Sequence, residues 1–133
     1  MAAVTVGTLR PVSPPAYEVN DKGQAAVAIT KGQLLCLSTT APGNGFEKVW
    51  ALAPTSGITE AHGIALMDAK AGAIVSVGIQ GEMDGFSGLT PGPTQSALYP
   101  STAVAGGIDT TAIASSTVRI RAVTTTRIRY SFV

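Results

Sequence analysis

From the first residue to Gly107, a Gly or Pro interrupts the chain at least once in every ten residues. Gly loses the most backbone entropy in a helix, and Pro removes a hydrogen-bond donor and clashes with the preceding turn. That spacing leaves no room for helices of average length and suits strands of about five residues. Sixteen Thr, twelve Val and nine Ile accompany the fifteen Gly and eight Pro. Such β-branched side chains pack well on a pleated surface, so an all-β fold is predicted, a barrel or a sandwich, and a helical bundle is excluded. Beyond Gly107 the chain is free of both breakers. There, Thr117 to Arg121 and Thr124 to Val133 are dense in β-branched and aromatic residues and read as two final strands.

At 133 residues the chain is long enough for one core and one domain. Residues 1–23 contain Pro11, Pro14 and Pro15 with few large apolar groups, and read as an extended arm. Residues 24–133 read as a single β domain, which deletion of residues 1–20 should leave folded. Gln24 to Ile29 and Leu34 to Ser38, joined by Thr30-Lys31-Gly32-Gln33, read as a hairpin. Both faces of Leu34 to Leu37 are apolar, which predicts a strand covered on two sides. Lys48 to Ala53 carries the one tryptophan, Trp50. From Ala73 to Met83, Val75, Val77, Ile79, Gly81 and Met83 alternate with Ser76, Gln80 and Glu82, the period of a half-buried strand. Gly85 to Gly92 reads as loop, and Leu98-Tyr99 as a short strand closed by Pro100.

Charged residues make up only 13% of the chain and net to +1. A nucleic-acid binder needs a basic excess that neutralises several phosphates, so that class has no support. Cys36 is the only cysteine, which excludes an intrachain disulfide and a cysteine zinc site. No run approaches the ~18 apolar residues of a membrane span, so no membrane role is expected and synthesis in the cytoplasm is. His62 is the only histidine and has no neighbouring partner for a metal or a nucleophilic pair. Gly85-Phe86-Ser87-Gly88 fails the G-x-S-x-G spacing because Leu89 follows. Glu82 and Asp84 share a strand face, as paired acid-base carboxylates or cation ligands would, but a solvated strand face ending in a turn is the preferred account of them. No phosphate-cradling loop is present. Neither catalytic residues, cofactor, metal nor small-molecule substrate is therefore expected.

One charge feature remains. Arg119, Arg121, Arg127 and Arg129 all have odd parity, so a hairpin of the two final strands places them on one face. Four such cations repel unless acids meet them, either on a partner surface or within the chain.

Several segments carry a resemblance. Lys31-Gly32-Gln33-Leu34-Leu35 comes first, followed by Gly63-Ile64-Ala65 and by Ala69-Lys70-Ala71-Gly72 leading into Val75-Ser76-Val77. The turn from Gly81 to Gly88 leads into Gly88-Leu89-Thr90-Pro91-Gly92. Leu98-Tyr99-Pro100-Ser101, Gly106-Gly107-Ile108 and Val118-Arg119-Ile120 complete the series. In this order they resemble the capsid decoration, or cement, proteins of tailed bacteriophages. The resemblance implies a non-enzymatic homotrimer on the outer surface of the virion head that binds and ties together the major capsid protein. The residues Thr124 to Val133 extend past the point where that pattern stops. Candidate contacts are Leu9, Pro11, Tyr17 and Val19 on the arm, Trp50, Phe86 and Leu89, and the four arginines. Two other readings remain open: a tail-fibre or baseplate module, and a carbohydrate-binding β-sandwich that stacks sugars on Trp50 and Tyr99.

Overall fold

The computed structural model describes residues 4–11, 18–43, 45–55, 61–92, 97–110 and 118–132. Among these there is no helix. Ten strands form one mixed sheet. They are β1 (Thr5–Pro11), β2 (Val19–Ala25), β3 (Leu34–Leu37), β4 (Val49–Leu52), β5 (Gly63–Ala65), β6 (Ile74–Ser87), β7 (Ala97–Pro100), β8 (Ile108–Asp109), β9 (Ile120–Ala122) and β10 (Arg127–Ser131).

The pairing closes on itself twice, and the 14-residue β6 belongs to both rings. In the first ring the order is β2-β4-β3-β5-β6, with β6 returning to β2. Closure removes the open edges that a five-stranded sheet would otherwise present. Ala25, Ile29, Leu35, Trp50, Ala65, Val75 and Val77 fill this barrel. The second ring runs β1-β6-β10-β9-β7-β8. It returns towards β1 through one hydrogen bond, from Val4 N–H to the Ile108 carbonyl at 3.2 Å. Its core includes Leu9, Met83, Phe86, Leu89, Leu98, Ile120, Ile128 and Tyr130.

Strand alternation makes β3 and β5 the wall between the two cores. Leu35 and Ala65 face the barrel, while Leu34 and Ile64, paired across the strands, face the second core. Of the run Leu34 to Leu37 that the sequence predicts to be covered on two sides, Leu34 and Leu35 are so covered, whereas Cys36 is half-buried and Leu37 is exposed. Along β6, Val75 and Val77 pack in the barrel and Met83 and Phe86 in the other core; Met83 keeps the parity of Val75 and Val77, and Phe86 departs from it beyond Gly85, which has φ +110°.

The first barrel contains a repeat. Residues 23–37 and 63–77 fold as two interlocked copies of a strand-turn-strand unit, and their hydrogen bonds are exchanged between the copies. Gly32 N–H donates to the Ala65 carbonyl (2.9 Å) and Gly72 N–H to the Ala25 carbonyl (2.7 Å). Ala65 N–H donates to Gln33 O and Ala25 N–H to Ala73 O, both at 2.8 Å, and Ile29 and Ala69 bond reciprocally. The register repeats as well: Leu34 opposite Ile64 and Leu35 opposite Gly63 match Ile74 opposite Gln24 and Val75 opposite Gly23. Gly32 and Gly72 occupy the same turn position at φ +91° and +85°, where a side chain is strained. The symmetry is broken where β4 inserts between β2 and β3, whereas β5 and β6 pair directly.

Three sequence expectations are corrected. The segments around Thr30 to Gln33 do not form a hairpin with each other, because each strand pairs with the other repeat and β4 lies between β2 and β3. Gly85 to Ser87 belongs to β6 rather than to a loop, held by β1 on one side and by bonds from Gly85 and Phe86 N–H to the Thr126 carbonyl on the other. The boundary at residue 23 falls inside β2, and residues 5–11 form a strand on β6 that buries Leu9. The arm thus carries two strands, and its residues 12–17 lie outside the described residues. Deleting residues 1–20 is accordingly expected to open the second ring and not to spare it. Amide hydrogen exchange should lose protection along β6 and β10, and retained protection there would contradict the pairing of β1.

Candidate interaction surface

Register decides which face the arginines occupy. Glu82 of β6 lies opposite Arg129 of β10, which lies opposite Arg121 of β9. One pair along, Asp84 lies opposite Arg127. The alternate positions, Met83-Ile128-Ala122 and Gly81-Tyr130-Ile120, turn into the second core. The stripe and its acids therefore share the outer face of three adjacent strands, an arrangement set by parity within each strand and by the register of β10 against β6.

The acids meet the cations within the chain. Arg129 donates from Nε (3.1 Å) and Nη2 (2.9 Å) to Glu82 Oε2. Asp84 Oδ1 accepts from the Thr126 hydroxyl at 2.8 Å, at the tip of the β9–β10 turn. Thr124 Oγ1 accepts from the N–H groups of Thr126 and Arg127, which fixes that turn. Arg127 is half-buried, and its Nε has no acceptor among the described residues. Arg119 is half-buried and Arg121 exposed, and both take part in polar contacts. Glu82 thus partners Arg129 and Asp84 the Thr126 hydroxyl of the turn, and a charged partner molecule would have to compete with bonds already made.

The remaining candidates separate by burial. Trp50, Phe86 and Leu89 are interior residues, at 1%, 2% and 4% exposure. They are corrected from surface contacts to core, because closed rings turn these large apolar groups inward. Trp50 in particular presents no face on which a sugar could stack, whereas Tyr99 is half-buried. Its indole Nε1 is buried without a partner among the described residues. Leu9 is likewise buried and packs over Gly32, where a Cβ would lie 2.1 Å from Leu9 Cδ1. Pro11 ends β1 opposite Met83. Val19 begins β2 and is exposed, as the arm reading expected of it. Tyr17 lies outside the described residues. Exposed apolar side chains that composition did not single out are Val6, Leu37, Ile74 and Val104.

Other polar groups have structural partners. His62 Nδ1 accepts the Leu37 N–H at 3.0 Å, which bridges β3 to the start of β5. The Lys48 ammonium bonds the Asp21 carboxylate and holds it below its ordinary range against the opposing effect of burial. Burial pushes the Cys36 thiol up, and its Sγ contacts the Leu52 carbonyl at 3.6 Å. Among the described residues no three metal-ligating side chains cluster. The Asp21–Lys48 pair carries no sequence motif, and the repeat that builds the Gly32 socket is hinted at by the shared Gly-x-Ala of residues 23–25 and 63–65 and by Gly32 and Gly72 at the same offset.

No family model, curated protein or solved structure matches the chain.

Proposed function

We propose that this chain is a structural protein of a tailed-phage virion, a decoration protein that sits as a homotrimer on the outer head surface and holds the major capsid protein lattice together. The observation that carries the reading is the filling of both rings. Trp50, Leu35, Val75 and Val77 occupy one interior, and Met83, Phe86, Ile128 and Tyr130 the other. Small-molecule chemistry needs a concave site with converging polar groups. Here the polar groups converge on each other along an outer sheet face, so what the molecule has to offer a partner is surface.

The segments that carry the resemblance support it by where they fall. Lys31-Gly32 and Ala71-Gly72 are the two equivalent turns of the barrel, and Val75 to Val77 is the β6 stretch that lines it. A small body of this kind gains grip by repetition, because many modest contacts on a lattice add through effective concentration. The test is copy number in purified virions of the source, relative to the major capsid protein, by quantitative mass spectrometry. A ratio of one or a simple fraction of it is expected. A handful of copies per particle would move the protein to the tail, and its absence would remove it from the virion.

A further inference from the structure

We propose that the outer face of β6, β9 and β10 is a docking surface, and that the partner it fits is a protein surface rich in carboxylates. The inference goes beyond the capsid reading: it stands on where the charges lie, and it holds for whatever assembly the partner belongs to.

The strands set the charges in rows. Glu82, Arg129 and Arg121 stand side by side across β6, β10 and β9, and Ala97 of β7 ends that row. Asp84 and Arg127 form the row on one side of it. On the other side Gln80 lies opposite Ser131, and Ser131 N–H donates to the Arg119 carbonyl at 2.9 Å, which puts Arg119 at the end of a row with no acid. The three rows hold four guanidinium groups and two carboxylates, an excess of two positive charges. The chain as a whole nets to +1, so its remainder, with five Lys and Arg against six Asp and Glu, nets to −1. The positive excess of the chain is therefore confined to this face.

Three features set the face apart from an ordinary solvated sheet. Arg121 is directly opposite Arg129, and like charges so placed disfavour the pairing of their strands. Glu82 brings one negative charge to that pair of positive ones. Sequences break a local rule of this kind at functional sites, where the cost is met elsewhere in the fold. Secondly, Arg127 has no acceptor for its Nε among the described residues, although Asp84 is its register partner. Thirdly, Gln80, Arg129, Tyr130 and Ser131 line a shallow depression. The Gln80 amide and the Ser131 hydroxyl have no hydrogen-bond partner among the described residues. A guanidinium flanked by an amide N–H and a hydroxyl receives a carboxylate through charge-assisted bonds. A partner's carboxylate thus has donors to meet beside the bond that Arg129 makes to Glu82. A nucleic acid fits less well. An excess of two charges releases few counterions, and the ring of Tyr130 is turned into the core, where no base can stack on it.

Poly-L-glutamate is the probe, titrated into the unmodified, isotope-labelled chain and followed by NMR. Resonances of Gln80, Ser131 and the four arginines should move first and furthest. Affinity should fall at least tenfold between about 0.01 M and about 0.15 M salt, over which the screening length shrinks from ~30 to ~8 Å. Arg119→Gln with Arg121→Gln should weaken binding at least fivefold. Lys22→Gln with Lys70→Gln removes the same charge from exposed positions elsewhere and should change it less than twofold. Equal effects of the two pairs overturn the proposal, as do shifts spread evenly over the molecule or no binding at the lower salt. Single-stranded DNA that binds more tightly than poly-L-glutamate of equal charge also overturns it, because the surface then selects phosphate. Copy number in virions is decided separately, so either conclusion can fail without the other.

Discussion

Replacing Trp50 by Ala is expected to cost about 3–5 kcal/mol of folding stability, the range for truncating a large buried aromatic. The first barrel is otherwise filled by Ala25, Ala65, Ile29, Leu35, Val75 and Val77, so this one ring supplies much of its interior bulk. The surrounding chain is cut to fit it: a Cβ at Gly23 would lie 2.8 Å from Trp50 Cδ1 and 2.8 Å from the Lys48 carbonyl. No small side-chain movement refills that volume, because both neighbours of Trp50 in the sheet are held in β2 and β3. Trp50→Phe should be much milder. It keeps an aromatic ring and removes an indole N–H that is buried with no acceptor among the described residues, a defect that itself costs about 1–3 kcal/mol. Urea unfolding of the three proteins orders them, with W50A lowest and W50F close to the parent. A W50A midpoint equal to the parent's would mean that Trp50 does not occupy the barrel.

The second large effect uses the repeat as its own control. Gly32→Ala and Gly72→Ala each force a Cβ onto nearly the same left-handed backbone, a penalty of about 1–2 kcal/mol. At Gly72 the added methyl meets nothing within 4 Å, so the backbone penalty is the whole effect. At Gly32 it would come 2.1 Å from Leu9 Cδ1, so the buried Leu9 side chain must also give way, and the cost should exceed that of G72A by about 2 kcal/mol, of the order of losing a buried leucine contact. In a Leu9→Ala background the difference between the two glycine variants should collapse, since the methyl then has room. Equal costs in the parent background would show that Leu9 does not sit in the Gly32 socket.

Much of this architecture was legible in the residues, and what was missed has a physical cause. Period-two alternation located β6, and the doubly apolar Leu34-Leu35 indicated cover on both faces, but the residues lead to an expectation of one core where the structure has two. The short strands β4, β7, β9 and β10 lie where aromatic and β-branched residues cluster. Partner choice was not legible. Local pattern favours pairing of adjacent strands, and here an interlocked repeat sends β3 to a partner about 30 residues away and β2 to one about 50 or more away. The arm was misread because β1 contributes a single large core residue, Leu9, and draws its place from the ladder with β6. Parity placed the arginines on one face correctly, and placed Glu82 and Asp84 on a single face as well. That the two faces were the same one, making each group the other's partner, depended on β10 lying against β6. Trp50, Phe86 and Leu89 fell to the core because aromatic and large aliphatic residues close to turns serve closed rings as readily as they serve exposed contacts.

The interlocking of the two repeats also sets a timetable for synthesis. Residues 23–37 take hydrogen-bonding partners from residues 63–77, and β4 joins β2 to β3 before those residues are made, so the first half of the barrel zips through β4 but cannot close. At about 5–20 residues per second, the forty residues between equivalent positions of the repeats take roughly 2–8 s, during which the outer edges of the β2-β4-β3 sheet stand bare. β6 then emerges as the strand on which β1, β2, β5 and β10 all converge. A nascent chain that ends before residue 74 lacks the strand that closes β2 onto β5, and one that extends past residue 87 carries every strand of its first barrel. The time spent on residues 38–74 is therefore the time in which the ring stays open to pairing with another chain.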